Sequence, residues 1–189
     1  MRIFIALPLP KATLQQLIRT TSIYHPQLKN EVRWLSPESL HLTLRFLGEN
    51  QPDQVEAVRN ALLQLSSLPC FLMNFSAYGV FPTWKSPSTI WLGIEKNNNL
   101  SNLYHMIETM MSACGYQPER KPFHPHLTFG RVRKKPSPEA ADRIRSVFQN
   151  TTPNPPIAPF QARHVVLFQS ILKSEGAQYR ALQTIELQR

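Results

Sequence analysis

Two short segments of this chain share a pattern that can do acid-base chemistry. His41-Leu42-Thr43-Leu44 recurs 85 positions later as His126-Leu127-Thr128-Phe129. With six histidines and a 42% apolar composition, chance yields two copies of His-apolar-Thr-apolar in about one such chain in 500. In a strand, residues i and i+2 share a face. His41 and Thr43 therefore point one way while Leu42 and Leu44 pack behind them, and the second copy repeats the arrangement. Two such strands brought together present two imidazoles and two hydroxyls in a pseudo-symmetric cleft. One imidazole can serve as general base and the other as general acid if their surroundings hold them in opposite protonation states. Threonine hydroxyls can donate to non-bridging phosphoryl oxygens. A single His-x-Thr on a strand is usually structural; two matched copies point to phosphodiester chemistry.

A metal is not expected at this site. No Asp or Glu lies within three residues of His126, and Glu49 is the nearest acid after His41, whereas metal-dependent phosphodiesterases draw carboxylate ligands around their ions. No cofactor is expected either. The chain has no G-x-G-x-x-G and no P-loop, and its six glycines leave little for a phosphate-cradling loop.

The second copy sits in the most basic stretch of the chain, with Arg120, Lys121, His124, Arg131, Arg133, Lys134 and Lys135. Such a run is commonly a solvated face. Beside a phosphate site it becomes a funnel for a polyanion. His124 shares the parity of His126 and is a candidate phosphate ligand. Arg131 is another, although its odd offset from His126 turns it away in a regular strand unless the strand bends near Gly130. Of the remaining histidines, His105 should be exposed, His25 should end a helix, and His164 should lie in the core. Trp34, Tyr78, Phe81 and Trp84 are candidates to stack a base.

These motifs resemble those of the two-histidine phosphoesterases, in particular the RNA 2′,3′-cyclic phosphodiesterases, also called 2′-5′ RNA ligases. The resemblance covers MRIFIALPLP at the start, HLTLRFLGE, YGVFPTWKSPSTIWLGIE, KPFHPHLTFGRV and the closing VVLFQSILKSEGAQYRAL. It implies an α+β fold of two pseudo-symmetric lobes. Each lobe would be a mainly antiparallel sheet with helices packed outside, and the active cleft would lie between them. The whole of 1–189 would form one bilobal domain. The resemblance also implies that His41 donates a proton and His126 accepts one, with Arg131 on the phosphate, where the strand geometry already puts Thr43 and Thr128. The chain departs from the family pattern at His124, where Arg or Lys is common, and at Gly130, where Ala is usual. The expected reaction opens a terminal 2′,3′-cyclic phosphate to a 2′-phosphomonoester. Its reversal would join RNA ends, and a small cyclic nucleotide or a 2′-5′ oligonucleotide is a second substrate reading. A non-catalytic RNA-binding module is the alternative of a different class.

The elements that must carry these residues follow from periodicity and punctuation. Ile3–Leu7, His41–Leu47 and Leu127–Val132 read as strands, and Trp34–Leu40 as a connector. Phe71–Phe81 and Thr89–Glu95 read as a strand pair, and Phe160–Leu172 with Tyr179–Leu187 as a hairpin turning at Ser174–Gly176. Apolar spacing predicts helices over about 11–24, from Pro52, over Leu100–Met111, and over Ala140–Phe148. The segment Thr151–Pro159, with four prolines, must be a loop. The total is four helices and seven or eight strands.

Composition agrees with a folded partner of polyanions. The chain has 189 residues and a formal charge of +9, yet only 17% charged residues. Disorder is excluded as the main state, and the charge excess points to RNA ends or nucleotides rather than to a membrane, for which no basic amphipathic helix or apolar span is present. Met1–Pro10 reads as a first strand and not as a signal peptide. Cys70 and Cys114 are isolated, which suits a reducing cytoplasm. Nothing demands more than a monomer.

Overall fold

The computed structural model describes residues 1–173 and 176–188. Its strands are β1 (Arg2–Pro8), β2 (Val32–Trp34), β3 (His41–Glu49), β4 (Phe71–Met73), β5 (Phe75–Thr83), β6 (Ser86–Ile94), β7 (His126–Val132), β8 (Phe160–Ala162), β9 (His164–Lys173) and β10 (Gly176–Glu186). Its helices are α1 (Lys11–Ser22), α2 (Pro52–Leu62), α3 (Asn98–Ala113) and α4 (Pro138–Phe148), with short 3-10 turns at Pro37–Ser39 and Leu63–Ser67. The α+β class and the antiparallel pairing expected from the sequence hold.

Local chemistry starts the helices. Pro52 and Pro138 occupy first-turn positions, where the missing N–H costs nothing. Gln51 and Gln54 form a reciprocal capping box at α2. The Asn97 side chain accepts from Leu100 N at 2.8 Å to cap α3, and Ser137 Oγ accepts from Ala140 N at 3.3 Å to cap α4. The stripe Leu100, Leu103, Tyr104, Ile107, Met110 and Met111 is buried as its spacing requires. In α1, Thr21 joins the buried face by donating its hydroxyl to Leu17 O at 2.8 Å, whereas Ile18 stays exposed.

Eight strands form one sheet in the order β10-β9-β1-β3-β7-β6-β5, with β2 added beside β7; β4 and β8 pair separately. The element order contains a repeat: β1-α1-β3-α2-β4 is followed by β6-α3-β7-α4-β8. The first-unit strands β1 and β3 and the second-unit strands β6 and β7 lie on either side of a central seam between β3 and β7. That seam is made by the single pair Leu42↔Leu127. The two halves are therefore lateral neighbours within one continuous sheet. Leu42, Leu44, Leu127 and Phe129 are buried in the common core, with α3 against β3 and α4 against β6.

Among the described residues ten strands replace the expected seven or eight, because Val32–Trp34 adds β2 and two apolar runs divide. Phe71–Phe81 breaks at Asn74 into β4 and β5, and Phe160–Leu172 breaks at Arg163 into β8 and β9, each break carrying the chain from the small sheet to the large one. The second break also explains His164. Side-chain parity does not carry through Arg163, so His164 is half-buried at the start of β9, and Val165 and Leu167 occupy the core instead. The hairpin partners β9 and β10 pair as expected, while Ser174 and Glu175 of the proposed turn lie outside the described residues.

Candidate active site

The seam places the two motifs in register. Leu42 opposes Leu127, so one residue further in each direction His41 falls opposite Thr128 and Thr43 falls opposite His126. Directly opposed residues on antiparallel strands have Cβ atoms about 5 Å apart. All four side chains are on the face away from the core, half-buried, while both leucines are fully buried. Among the described residues neither threonine hydroxyl has a protein hydrogen-bond partner, which leaves both for a ligand.

The His126 imidazole is held by the carbonyl two residues earlier in the chain. His126 Nδ1 lies 2.6 Å from His124 O. A carbonyl can only accept, so Nδ1 carries the proton and Nε2 keeps a free lone pair. The backbone of Ser39, two residues before His41, acts to raise the pKa of that ring. Aromatic rings enclose both. His41 has Phe4 at 4.8 Å, Tyr179 edge-on at 5.1 Å and Phe168 at 6.2 Å between ring centroids. His126 has Phe81 edge-on at 4.9 Å and Trp91 at 5.9 Å. Burial among these rings disfavours the charged form. It pushes His41 down from 6.5 to about 4, with a smaller downward push from His126. Burial also lowers His126, with His124 adding to the effect by charge and opposing it through its backbone.

A β-bulge resolves the position of Arg131. Across β6, Ile90 pairs with Gly130 but Trp91 pairs with Thr128, so Phe129 is the extra residue. Phe129 and Gly130 are consecutively buried, and alternation restarts with Arg131 on the cleft face. The irregularity near Gly130 that Arg131 needs in order to face the cleft is this bulge. The first half repeats the device. Ile5 pairs with Arg45 but Ala6 pairs with Thr43, so Leu44 is extra, Leu44 and Arg45 are buried, and Phe46 returns to the cleft. Phe46 thus occupies, in the first half, the place that Arg131 holds in the second. Gly130 fits its bulge closely: a Cβ there would meet Val32 Cγ1 at 2.9 Å and the Trp34 ring at 3.3 Å.

Arg45, turned to the back of β3, contacts Glu108 of α3 at 3.1 Å and Glu119 at 2.9 Å, and donates to Gln117 O. It ties the first motif strand to the segment that leads into the second. His124 is exposed, its ring 4.7 Å from Trp91 and 6.2 Å from the His126 ring. Its visible contribution is its carbonyl on His126. Of the four aromatics proposed to stack a base, Phe81 alone packs on a motif histidine. Tyr78 is core, Trp34 is sandwiched between His25 at 4.4 Å and Phe129 at 5.9 Å, and Trp84 packs against the core. Phe4, Phe168 and Tyr179 were not foreseen, since strands far apart in the chain deliver them. Phe46, 61% exposed in the cleft, was missed too, because only the bulge brings it there. Beside the dyad lies a cavity of about 760 Å³; neither histidine lines it, but Phe4 and Tyr179, which enclose His41, do, together with Ser39, Phe46 and Arg131.

The fold and the paired strands define a bilobed, two-motif α+β architecture. Solved structures share it over the whole chain. A Thermus thermophilus protein superposes with a TM-score of 0.80 at 24% identity, covering 99% of this chain and 98% of its own. Escherichia coli LigT superposes with a TM-score of 0.77 at 24% identity, covering 100% and 98%. The sequence model of the 2′-5′ RNA ligase superfamily matches residues 12–171, and the chain belongs to that superfamily. An RNA 2′,3′-cyclic phosphodiesterase of Archaeoglobus fulgidus is 32% identical over 155 residues, which is 82% of this chain and 84% of that protein. One of Methanocaldococcus jannaschii is 28% identical over 187 residues, 96% and 98% of the two chains. No helix among the described residues is long and apolar enough to cross a membrane.

Proposed function

We propose that this protein hydrolyses RNA 2′,3′-cyclic phosphate ends to 2′-phosphomonoesters without a metal or other cofactor. The seam register carries the reading: it sets each motif histidine beside the other motif's threonine, on one face, with unused hydroxyls at the centre. The names of the relatives supply the substrate class. His126, with its Nε2 lone pair free, takes the proton of the attacking water. His41, across the phosphorus, gives a proton to the departing 3′ oxygen. The geometry suits in-line displacement, in which attacking and leaving oxygens lie on opposite sides. Thr43, Thr128 and Arg131 balance charge on the equatorial oxygens, and His124 acts chiefly through its carbonyl on His126.

The acid role needs His41 to be protonated when substrate is present. In the free protein its pKa of about 4 makes protonation at pH 7 cost about 4 kcal/mol. A phosphate anion about 4 Å from the ring returns a similar amount at an effective dielectric constant near 20. Substrate binding thus charges the acid. No cluster of three or more His, Cys, Asp or Glu side chains converges among the described residues, so the chain's own donors at the site are imidazole, hydroxyl and guanidinium. We place the enzyme in the cytoplasm as a monomer of one bilobal unit, 1–189, acting on RNA ends or cyclic nucleotides and not on membranes; the two free thiols suit that compartment.

The test uses an oligoribonucleotide ending in a 2′,3′-cyclic phosphate, with EDTA in excess. The expected product is a 2′-phosphate, with H41A and H126A each lowering turnover by about 10²–10⁴. A 3′-phosphate product would reverse the geometry, and activity lost to EDTA would overturn the metal-free reading. Salt-sensitive RNA binding without turnover, unchanged by H41Q/H126Q, would instead favour the binding-module alternative.

A further inference from the structure

The least expected feature of the cleft is a pair of like charges. Arg33 of β2 and Arg131 of β7 are directly opposite in the antiparallel ladder, and both line the 760 Å³ cavity. Like charges directly opposed on one sheet face destabilise it, and an anion seated between them relieves that repulsion. Arg2 and Lys173 line the same cavity. Among the described residues, no carboxylate lines it, and none of these four cations is in an ion pair. Glu49, across β1–β3 from Arg2, is taken up by the Met1 ammonium at 3.2 Å.

The basic wall is one-sided. It extends from Arg131 outward over β2 and the β9–β10 end, whereas His126 is flanked by Phe81, Trp91 and His124. A single cyclic phosphate needs the dyad, the threonines and one arginine. The additional cations have nothing to neutralise in a mononucleotide.

We propose that Arg33, with Arg2 and Lys173 around it, forms a second phosphate subsite that holds an internucleotide phosphodiester of the RNA chain behind the reacting end. The preferred substrate is then the end of an oligomer and not a cyclic mononucleotide. The inference rests on the cyclic phosphodiesterase reading, since it takes that end as the reacting group. Arg131 is shared: it faces the reacting phosphate on one side and the internal phosphodiester on the other. Val32-Arg33-Trp34 is a strand of three residues, placed so that its one outward side chain meets this position.

The experiment compares wild type, R33E, R33Q and R33K on a cyclic mononucleotide and on a ten-nucleotide RNA with a 2′,3′-cyclic end. The ratio of kcat/KM for oligomer over mononucleotide should exceed tenfold in wild type, fall at least tenfold in R33E, fall less in R33Q and be largely kept in R33K. For the oligomer, the slope of log kcat/KM against log salt should become shallower by about 0.7 in R33Q, one phosphate contact fewer on a single strand. Thermal unfolding of each variant excludes loss of fold as the cause. A ratio unchanged in R33E, or a parallel loss on both substrates, overturns the subsite. A second arm measures, by fluorescence anisotropy, binding of the same RNA ending in a 2′-phosphate. R33E should weaken it at least tenfold, and a nucleoside triphosphate that competes at lower concentration than the RNA would overturn the assignment to an RNA phosphodiester. If wild type turns over neither substrate, the phosphodiesterase reading fails, and the anisotropy arm still decides the subsite.

Discussion

The depressed pKa of His41 makes a stability prediction that is independent of catalysis. In the unfolded chain this imidazole titrates near 6.5, and in the fold near 4. Between those values the unfolded state binds the extra proton, so stability rises with pH there and is lost as pH falls. Above pH 6.5 the ring is neutral in both states and costs nothing. The difference corresponds to about 3 kcal/mol in full, of which about 2 kcal/mol is already lost at pH 5. H41Q keeps a polar side chain of similar reach but cannot titrate. Urea unfolding of wild type and H41Q at pH 7.5, 6, 5 and 4.5 isolates this contribution, because every other titrating group is common to both. H41Q should become relatively more stable by about 2 kcal/mol between pH 7.5 and pH 5. Curves that stay parallel within 0.5 kcal/mol (roughly the additivity error of such comparisons) would refute the argument that Phe4, Phe168 and Tyr179 keep this ring uncharged.

Three further outcomes follow from the packing. G130A should destabilise by about 1–3 kcal/mol in urea unfolding, because its Cβ meets Val32 and Trp34 within the bulge. R45M should cost roughly 2 kcal/mol, discounted for the exposure of Glu119, and calorimetry on wild type, R45M and R45M/E108Q would show whether the loss comes from stranding Glu108. F46A should raise KM for a cyclic-ended RNA about tenfold with little change in kcat, as expected where a base stacks on this exposed cleft ring; an unchanged KM would show that no base stacks there.

The sequence was readable where local chemistry decides structure. The paired motifs, the α3 stripe and the proline-rich loop each follow from a few neighbouring residues. It was unreadable where one strand's partner sets the outcome. Val32–Trp34 is too short for any periodicity, and it is a strand because β7 offers it an edge. The bulges at Leu44 and Phe129 are register slips against β1 and β6, and nothing in HLTLRF or HLTFGR marks them. From His41 simple alternation brings Arg45 to the cleft. The structure instead sends Arg45 to Glu108 and gives Phe46 its place. The aromatic enclosure of His41 assembles from β1 and the β9–β10 pair, which lie more than a hundred residues apart in the chain.

The matching bulges have a consequence for direction. Two identical His-x-Thr arms related by a half-turn would accept a cyclic phosphate equally well in either orientation, and would release a mixture of isomers. The motifs carry no arrow. Besides the different rings around the two histidines, what differs is the residue after each bulge, an aromatic ring at Phe46 and a guanidinium at Arg131. With a base against the Phe46 ring and a phosphate against the Arg131 cation, only one of the two half-turn-related poses is occupied. Regiochemistry would then be written in the flanking pair. An F46R/R131F exchange should shift the product toward the other isomer while leaving both histidines in place.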